Sequence, residues 1–402
     1  MKREEYSEYI QGGTLKTPAY VIDAAELERH VRRIMEIVGE DIGLCYAMKA
    51  NPFVTQIVNR WIDKVEVCSP GELAICKRTE IPPENIIFSG VNKTGEDILE
   101  AVEYGVGVIT LESYKQFELV RKYCREQEYP GKIYLRLSDG FQFGLNKDML
   151  EKIISHRMDY PYLNICGIHY FSGTQKKNIE SNIEELQMLR DYLEQLKKQY
   201  DFTPAHLEYG VGLYHPYYIN EDFMSRYDGL TELVQLIRAL SFPCKVVFEM
   251  GRFFAASCGD YLTEVQDLKS VNQKNYCLVD GGIHHLNYYG QNMAMRTPVI
   301  HKLDVLCQQE EVFSECAQEV QGSSKWAICG SLCTFADVLA RNVEFETLRI
   351  GDILIFKNAG AYSMTEAPFL FLSRKMPGVY LFEKDKGIKK IRDFIASDKF
   401  VC

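Results

Sequence analysis

The sequence predicts an α/β fold in which a (β/α)8 barrel is joined to an all-β domain nearer the carboxyl terminus. Through the first 260 residues, short apolar and β-branched runs alternate with longer amphipathic stretches. Near-continuous apolar strands that alternate with helices are typical of a parallel sheet covered by helices. After about residue 260 the helical periodicity fades and strand-like runs follow one another, which predicts a second domain rich in strands.

Eight strand-like runs support the barrel. They cover residues 42–49, 65–69, 86–90, 106–111, 132–137, 165–171, 205–210 and 245–251. The helix candidates between them are Ala25–Val38, Pro70–Arg78, Glu96–Tyr104, Ser113–Glu126, Lys147–Ser155, Asn178–Tyr200 and Leu230–Ala239. Eight repeats within roughly 230 residues agree with the size of a (β/α)8 barrel. A doubly wound open sheet is the alternative, although no G-x-G-x-x-G follows an early strand, as a dinucleotide-binding fold requires.

A chain of 402 residues is too long for one ordinary core, and two domains are expected. We place the barrel at residues 24–260 and a β-sandwich or barrel-like domain at residues 1–23 plus 261–402. Its strand-like runs are "YLTEVQDLKSV", "NYCLVDGG", "KWAICG", "VEFETL" and "DILIFKNAGAY". The early run "TPAYVID" is also strand-like and is assigned to this domain. The polar segment Gln308–Ser324 is predicted to be a loop or linker.

Charge and composition narrow the class of protein. The net charge of −10 argues against an extended nucleic-acid partner, which needs a basic surface. No apolar run approaches the roughly 20 residues of a membrane span, and the acidic start "MKREEYSEYIQGG" does not resemble a signal peptide. The 13 cysteines are scattered without a C-x-x-C pair, which indicates reduced thiols. These features predict a cytoplasmic protein with neither a nucleic-acid nor a membrane partner.

The strand ends carry the candidate chemistry, because the active site of a (β/α)8 barrel lies at the carboxyl ends of its strands. Lys49 ends the first predicted strand, although most lysines lie on solvated faces. Arg136 lies on the fifth strand, His169 on the sixth and Glu249 on the eighth. Together they place an amine, an arginine, a histidine and a carboxylate around one mouth.

The last strands indicate a phosphate site, because barrels often bind phosphate in the loops after strands seven and eight. Gly210 and Gly212 after the seventh strand let the backbone come close, Arg252 supplies a fork of donors and Thr174 adds a hydroxyl. A phosphate-bearing ligand opposite an inward lysine suggests pyridoxal 5'-phosphate held on that amine. A carboxylate such as Glu249 keeps the pyridine nitrogen protonated, as loss of CO2 from an α-carbon requires.

From about residue 18 to 375 the chain resembles the fold-type III decarboxylases, the diaminopimelate, ornithine and arginine decarboxylase group. The motifs, in family order, are "YAMKAN" (46–51), "EVCSPGEL" (66–73), "FGL" (143–145), "GVG" (210–212), "EMGR" (249–252), "CGSLCTFADVL" (329–339) and "NAGAY" (358–362). The resemblance implies an alanine-racemase-like barrel, Lys49 as the Schiff-base lysine and Gly251 and Arg252 in the cofactor site. It also implies that Tyr362 contacts the phosphate and that Cys333 enters the neighbouring subunit's site, hence a homodimer.

Two departures from the family bear on the substrate. In "GIHYFSGTQ" Phe171 replaces the histidine that stacks on the cofactor ring, and Phe171 can still stack there. Thr334 follows Cys333 where the diamine and diaminopimelate enzymes have an acidic residue for the distal amine. The resemblance therefore favours a specialised branch that acts on carboxylated siderophore intermediates or on glutamyl groups tethered to a carrier protein. Arg296 resembles a family arginine that holds a substrate carboxylate.

The predicted reaction is loss of the α-carboxylate of an amino acid or its conjugate, with Arg136 orienting Glu249 and Cys333 or Lys49 returning the proton. A diaminopimelate or basic amino-acid decarboxylase is one alternative. An amino-acid racemase on the same fold is another, disfavoured by Glu249, and a non-catalytic regulatory homologue is a third. The partners expected are a small amino-acid-derived substrate and a second copy of the chain, with a carrier protein as a further candidate. No metal is expected, since the paired histidines of "GGIHHLNYYG" lack accompanying ligands.

Overall fold

The computed structural model describes residues 1, 3–62, 64–291, 294–305 and 325–401. The chain divides into two compact units. One comprises His30–His215 and Asp222–Phe254, and the other comprises Met1–Arg29, Pro216–Glu221 and Ala255–Cys402. The predicted linker Gln308–Ser324 lies outside the described residues. Among the described helices, none is both long enough and apolar enough to cross a membrane.

The first unit is built on a closed, parallel eight-stranded barrel. Strand β1 (Ala19–Asp23) comes first in the chain and belongs to the second unit. The barrel strands are β2 (Gly43–Ala47), β3 (Lys64–Val67), β4 (Ile86–Phe88), β5 (Val108–Leu111), β6 (Gly131–Arg136), β7 (Leu163–Phe171), β8 (His206–Gly210) and β9 (Lys245–Met250). β9 pairs with β2, which closes the barrel. The predicted barrel is confirmed, and each of its eight strands lies within a predicted run or overlaps it.

Helices alternate with the barrel strands, as the amphipathic stretches predict. They are α2 (Ala24–Val38), α3 (Thr55–Val58), α4 (Pro70–Arg78), α5 (Gly95–Tyr104), α6 (Tyr114–Glu126), α7 (Lys147–Ser155), α8 (Glu180–Tyr200), α9 (Asp228–Leu240) and α10 (Arg252–Ala255). Helix α1 (Arg3–Gln11) precedes them in the chain. Side-chain caps fix several starts: Ser69, Thr94, Ser113 and Asn146 each accept a hydrogen bond from a backbone N–H of the first turn. The α5 cap is a full capping box.

The interior of the barrel is packed rather than open. Cys45, Ile87, Val108, Tyr134 and Val247, from five different strands, belong to one buried cluster. Gly167 lets the Tyr134 ring fit, since a Cβ at this glycine would lie 2.4 Å from that ring. A filled interior confines any ligand to the mouth at the carboxyl ends of the strands.

Over its described residues, the second unit contains helix α1 (Arg3–Gln11) and a mixed sheet of nine strands. Its strands are β1 (Ala19–Asp23), β10 (Gly259–Val271), β11 (Lys274–Val279), β12 (Ile300–Leu303), β13 (Lys325–Cys329), β14 (Val338–Glu344), β15 (Ile353–Phe356), β16 (Gly378–Glu383) and β17 (Gly387–Arg392). β1 pairs antiparallel with β10 and parallel with β16, so the early strand joins this sheet, as predicted. A buried cluster that includes Val21, Leu262, Ile355 and Phe382 forms its core.

Some elements of this unit differ from the sequence predictions. The run "VEFETL" was expected to be a strand, but β14 begins earlier, at Val338, and ends at Glu344. Pairing with β13 places Ala340 opposite Ile328, so tertiary pairing rather than local propensity sets this boundary. Helix α1 and strands β12, β16 and β17 were not predicted.

Candidate active site

Lys49 lies just beyond the end of β2, where Met48–Ala50 form a single tight turn. Its Nζ donates to Glu66 Oε2 at 2.8 Å and to Glu249 Oε1 at 3.4 Å. The Cys68 Sγ atom lies 3.6 Å from the same nitrogen. The side chain is 38% exposed, while both carboxylates are buried. A turn at the strand end therefore carries an accessible amine over a buried pair of acids.

His169 on β7 fixes Glu249 from a second direction, because its Nε2 lies 2.9 Å from Glu249 Oε2. Burial acts to raise the pKa of the Glu249 carboxyl, but the Lys49 ammonium and the His169 hydrogen bond outweigh it and hold that pKa well below its ordinary value. Glu249 is therefore the ionised acid of the site. An ionised, oriented carboxylate is suited to accept an N–H from a bound heterocycle.

Two further carboxyls lie within the barrel, Glu66 on β3 and Glu208 on β8. Burial and then the neighbouring Glu249 charge raise the pKa of Glu66. Burial, followed by Glu249 and Glu66, raises the pKa of Glu208 well above its ordinary value. Neither carboxyl oxygen of Glu208 meets a nitrogen or oxygen partner among the described residues. The charge on Glu249 therefore opposes ionisation of both Glu66 and Glu208.

Arg136 has a different partner from the one expected. Its Nη1 donates to Glu112 Oε1 at 2.7 Å, and the Gly144 amide donates to Glu112 Oε2 at 3.0 Å. The expectation that Arg136 orients Glu249 is wrong, because Glu112 at the end of β5 takes this guanidinium and His169 takes Glu249. Arg136 thus ties Glu112 and, through it, Gly144, close to its own strand end.

The loops after β7 and β8 approach each other closely. Gly212 has a φ of +61°, and a Cβ there would lie 2.1 Å from the Gly173 carbonyl oxygen. A Cβ at Gly210 would lie 2.3 Å from the Phe171 ring. Thr174 is exposed on the first loop. Both glycines are therefore required by close approach, as expected of a backbone cradle for an anion.

Gly251 and Arg252 follow β9. A Cβ at Gly251 would lie 2.9 Å from the Ala50 Cβ and 3.0 Å from the Ala47 carbonyl oxygen, so this turn packs on the end of β2. Arg252 is 7% exposed and begins α10. The turn holds a guanidinium on the same barrel end as Lys49 and Glu249.

Four other predicted residues belong to the second unit, where their assigned roles remain predictions. Cys333 and Thr334 are exposed, on a turn that Asp337 shapes by accepting the Leu332 amide at 2.7 Å. Tyr362 has a φ of +63° and is half-buried. Arg296 lies with its guanidinium carbon 3.8 Å from the centre of the Tyr218 ring and pairs with Glu221.

Sequence reasoning assigned no role to Glu66, Glu208 or Glu112. The sequence does mark Glu66 and Glu208 as candidates, because each is an acidic residue within a mostly apolar strand-like run, "VEVCS" and "AHLEYG". A buried acid on an inner strand is rare unless it has a partner or a function. Among the described residues, no group of three or more His, Cys, Asp or Glu side chains could hold a metal ion.

Comparison with known families identifies the class of enzyme. The model described as "Pyridoxal-dependent decarboxylase, pyridoxal binding domain" matches residues 24–256, more than half of the chain. The chain therefore belongs to the pyridoxal-dependent decarboxylases and is of fold type III. It is a carboxy-lyase that uses pyridoxal 5'-phosphate, so the predictions of an enzyme of this class and of this cofactor are confirmed.

Individual relatives cover nearly the whole chain. The L-glutamyl-(BtrI acyl-carrier protein) decarboxylase of Niallia circulans is 26% identical over 96% of this chain and 93% of its own length. The 2-[(L-alanin-3-ylcarbamoyl)methyl]-2-hydroxybutanedioate decarboxylase of Staphylococcus aureus is 28% identical over 89% and 92%. The solved diaminopimelate decarboxylase of Methanocaldococcus jannaschii has the same fold, with a TM-score of 0.85 at 22% identity over 98% and 93%.

The residues of the barrel mouth fit pyridoxal phosphate. The Lys49 amine is accessible for an aldehyde, and ionised Glu249 lies 3.4 Å from it. The close approach at Gly210 and Gly212 leaves backbone rather than side chains on the loops where the phosphate is expected. Phe171, at the end of β7, provides an aromatic face beside these loops.

Proposed function

We propose that the chain releases CO2 from the α-carbon of an amino-acid conjugate whose distal end is not a free ammonium. The observation that carries this proposal is the Lys49 amine held 2.8 Å from Glu66 and 3.4 Å from ionised Glu249 at the barrel mouth. Such an arrangement serves an aldehyde cofactor that must be bound covalently and kept electron-poor.

Each group at the mouth has a proposed part. Lys49 would hold the aldehyde of the cofactor, and Glu249, oriented by His169, would pair with its ring nitrogen. The proposed phosphate site comprises Thr174, Gly210, Gly212, Gly251 and Arg252, together with Tyr362 as the family resemblance implies, and Phe171 would offer a face to the ring. When bound, pyridoxal phosphate supplies an electron sink for the bond to the departing carboxylate. Arg136 supports the neighbouring strand end through Glu112 rather than through a direct contact with Glu249.

Cys333 or Lys49 would supply the proton that replaces the departing carboxylate on the α-carbon. Glu66 accepts a hydrogen bond from the Lys49 Nζ and is therefore placed to exchange a proton with that amine. Substituting Glu66 by Gln should therefore slow turnover while leaving cofactor binding intact. If Glu66→Gln lowered turnover and cofactor affinity to the same extent, Glu66 would instead be a residue of the cofactor-binding site.

The substrate proposal rests on Thr334. Its hydroxyl accepts a hydrogen bond from the Ala336 amide at 3.3 Å and carries no charge to pair with a distal ammonium. Two relatives are named for a carrier-tethered glutamyl group and for a carboxylated conjugate, and neither name describes a free diamine acid. Relatives named diaminopimelate decarboxylase make that substrate the second candidate.

A homodimer with shared sites is also proposed. Cys333 is exposed, and the neighbouring Phe335 is fully exposed, an arrangement suited to burial by a second copy. Where Cys333 is the residue that returns the proton, mixing inactive Lys49→Ala and Cys333→Ala subunits should restore activity in mixed dimers, because one of their two sites would be intact. Absence of restored activity despite subunit exchange would contradict shared sites.

A substrate screen tests the proposed function. The purified chain with pyridoxal phosphate would be assayed for CO2 release from L-glutamyl-carrier protein, a carboxylated alanyl conjugate, diaminopimelate, lysine and ornithine. We expect turnover of a conjugate and little turnover of the free diamine acids. Thr334→Asp should shift activity toward the diamine acids. Faster turnover of diaminopimelate than of every conjugate by the unmodified chain would contradict the substrate proposal.

A further inference from the structure

We propose that Gln175, Lys176 and Glu185 are positioning residues that join the loops after β7 and β8 into one phosphate-binding unit. None of the three is part of the proposed cofactor site, and the inference rests on the proposed function of these loops. The first loop is defined as residues 172–176 and the second as residues 210–215. The hydrogen bonds that join the two loops are made by residues of the loops themselves and of helix α8.

Gln175 joins the two loops through both ends of its amide. Its Nε2 donates to the His215 carbonyl at 2.9 Å, and its Oε1 accepts the His215 amide at 2.7 Å. The Lys176 amide adds a third bond, to the Gly212 carbonyl at 2.9 Å. Gln175 has a φ of +58°, a strained conformation for a residue with a side chain. Three bonds across the loops therefore offset local strain.

Glu185 on α8 is the centre of a second set of bonds. Its Oε1 accepts from Ser172 Oγ at 2.6 Å, and its Oε2 accepts from Tyr209 OH at 2.6 Å. Lys176 Nζ donates to both carboxylate oxygens, at 2.9 and 2.8 Å. The side chains of Lys176 and Glu185 are only 12% and 14% exposed, so the pair is largely shielded from water. One carboxylate thereby binds both the first loop and the end of β8.

Asn182, one turn before Glu185 on the same face of α8, extends these contacts. Its Nδ2 donates to Tyr209 OH at 2.7 Å and to the Val211 carbonyl at 2.9 Å. Val211 lies between the two glycines of the proposed phosphate cradle. The helix thus reaches the second loop directly and the first loop through Glu185, which fixes the separation of the two.

The charges indicate a geometric role rather than a direct one. Lys176 Nζ has Glu185 and Ser172 as its partners, so its positive charge is already compensated. The ion pair is neutral overall and neither attracts nor repels a phosphate dianion strongly. Its contribution to phosphate binding is therefore the shape of the two loops, which distinguishes it from Arg252.

Two test variants and one control variant test the inference. Gln175→Ala removes two bonds between the loops without a change of charge, and the double variant Lys176→Met with Glu185→Gln removes the ion pair while keeping the net charge. Glu184→Gln, on the exposed face of α8, is the matched control. The affinity of the full chain for pyridoxal phosphate and for phosphate-free pyridoxal would be measured by absorbance titration, together with thermal unfolding.

We expect each test variant to lose about tenfold or more in affinity for pyridoxal phosphate, as removal of hydrogen bonds of this kind implies, with affinity for pyridoxal nearly unchanged. Glu184→Gln should leave both affinities unchanged. Parallel losses for both aldehydes would show a general structural role and overturn the inference, as would unchanged phosphate affinity. If the unmodified chain binds both aldehydes equally, the proposed phosphate site itself fails.

Discussion

The two sides of the barrel mouth are built from different interactions. On one side, Lys49, Glu66, Glu249 and His169 are buried or half-buried titratable groups that are linked by hydrogen bonds. On the other, the loops 172–176 and 210–215 are joined by neutral amide bonds, backbone bonds and one compensated ion pair. The side proposed to carry the chemistry keeps opposed charges, whereas the side proposed to anchor the cofactor has satisfied hydrogen bonds. Protonation should therefore affect the first side far more than the second.

Lys49→Ala tests the titratable side most severely. Removing the amine should abolish covalent binding of the aldehyde and lower kcat by at least about 10³-fold, within the range that enzymes gain over uncatalysed reactions. Absorbance of the bound cofactor and CO2 release are the measurements. Lys245→Ala, at the exposed opposite end of β9, is the matched control and should retain both. Normal turnover by Lys49→Ala would remove Lys49 from the chemistry.

Glu249→Gln removes the ionised carboxylate while keeping its size. We expect a loss of about 10²- to 10³-fold in kcat, typical for removal of one preorganised electrostatic partner. Phosphate-dependent cofactor affinity should change much less, because the loops on the other side are untouched. A variant that loses affinity but keeps kcat would reverse the roles assigned to the two sides.

Gly212→Ala tests the anchoring side. A Cβ there meets the Gly173 carbonyl oxygen at 2.1 Å and requires a φ near +61°, so the loops must separate. Gly105→Ala is the control, because Gly105 has a φ of +78° and a Cβ added to it would have no atom within 4 Å. The control should lose about 1–2 kcal/mol in the free energy of unfolding, the left-handed penalty alone. Gly212→Ala should lose more, together with affinity for pyridoxal phosphate. Equal effects would mean that the close approach is unimportant.

Glu208→Gln should produce the smallest effect, a change in how stability depends on pH. Burial raises the pKa of Glu208, so the native state retains a proton that the unfolded chain releases. Stability present below the ordinary carboxyl pKa is lost as pH rises toward the raised value. Between the ordinary and the raised pKa, the free energy of unfolding of Glu208→Gln should therefore rise relative to that of the unmodified chain by up to about 1.4 kcal/mol per pH unit.

Denaturant unfolding at several pH values would measure the effect of Glu208→Gln. Glu103→Gln, on the exposed face of α5, is the control and should follow the unmodified chain. Parallel pH profiles for Glu208→Gln and the unmodified chain would show that Glu208 is ionised in the fold, against the charge assignment given to the barrel.

Much of the barrel could be predicted from sequence because its parallel strands are buried on both faces and appear as apolar runs. Pro70–Arg78 and Lys147–Ser155 match α4 and α7 at both ends, since capping residues mark their starts. β17, "GIKKIR", was missed because its side chains are half-buried or exposed and its lysines obscure the alternation. Tyr6 is the one residue of helix α1 that is buried, so the helix has little apolar periodicity by which it could be predicted.

In the site, the strand-end rule predicted that Lys49 and Glu249 share one mouth, and the structure places them 3.4 Å apart. The partner of Arg136 could not be predicted in this way. Glu112 and Glu249 both lie at strand ends, and only side-chain direction decides which carboxylate a guanidinium meets. The link between Gln175 and His215 was likewise invisible, because it joins two irregular loops.

Chemical trapping of the bound cofactor tests whether Lys49 is the lysine that binds it covalently. The chain saturated with pyridoxal phosphate would be reduced with borohydride, digested and mapped by mass spectrometry. Lys93 is an internal competitor, because it is 4% exposed and burial lowers its pKa to about 8. We expect the reduced cofactor to be attached to Lys49 alone. Attachment to Lys93, or to no lysine, would contradict it.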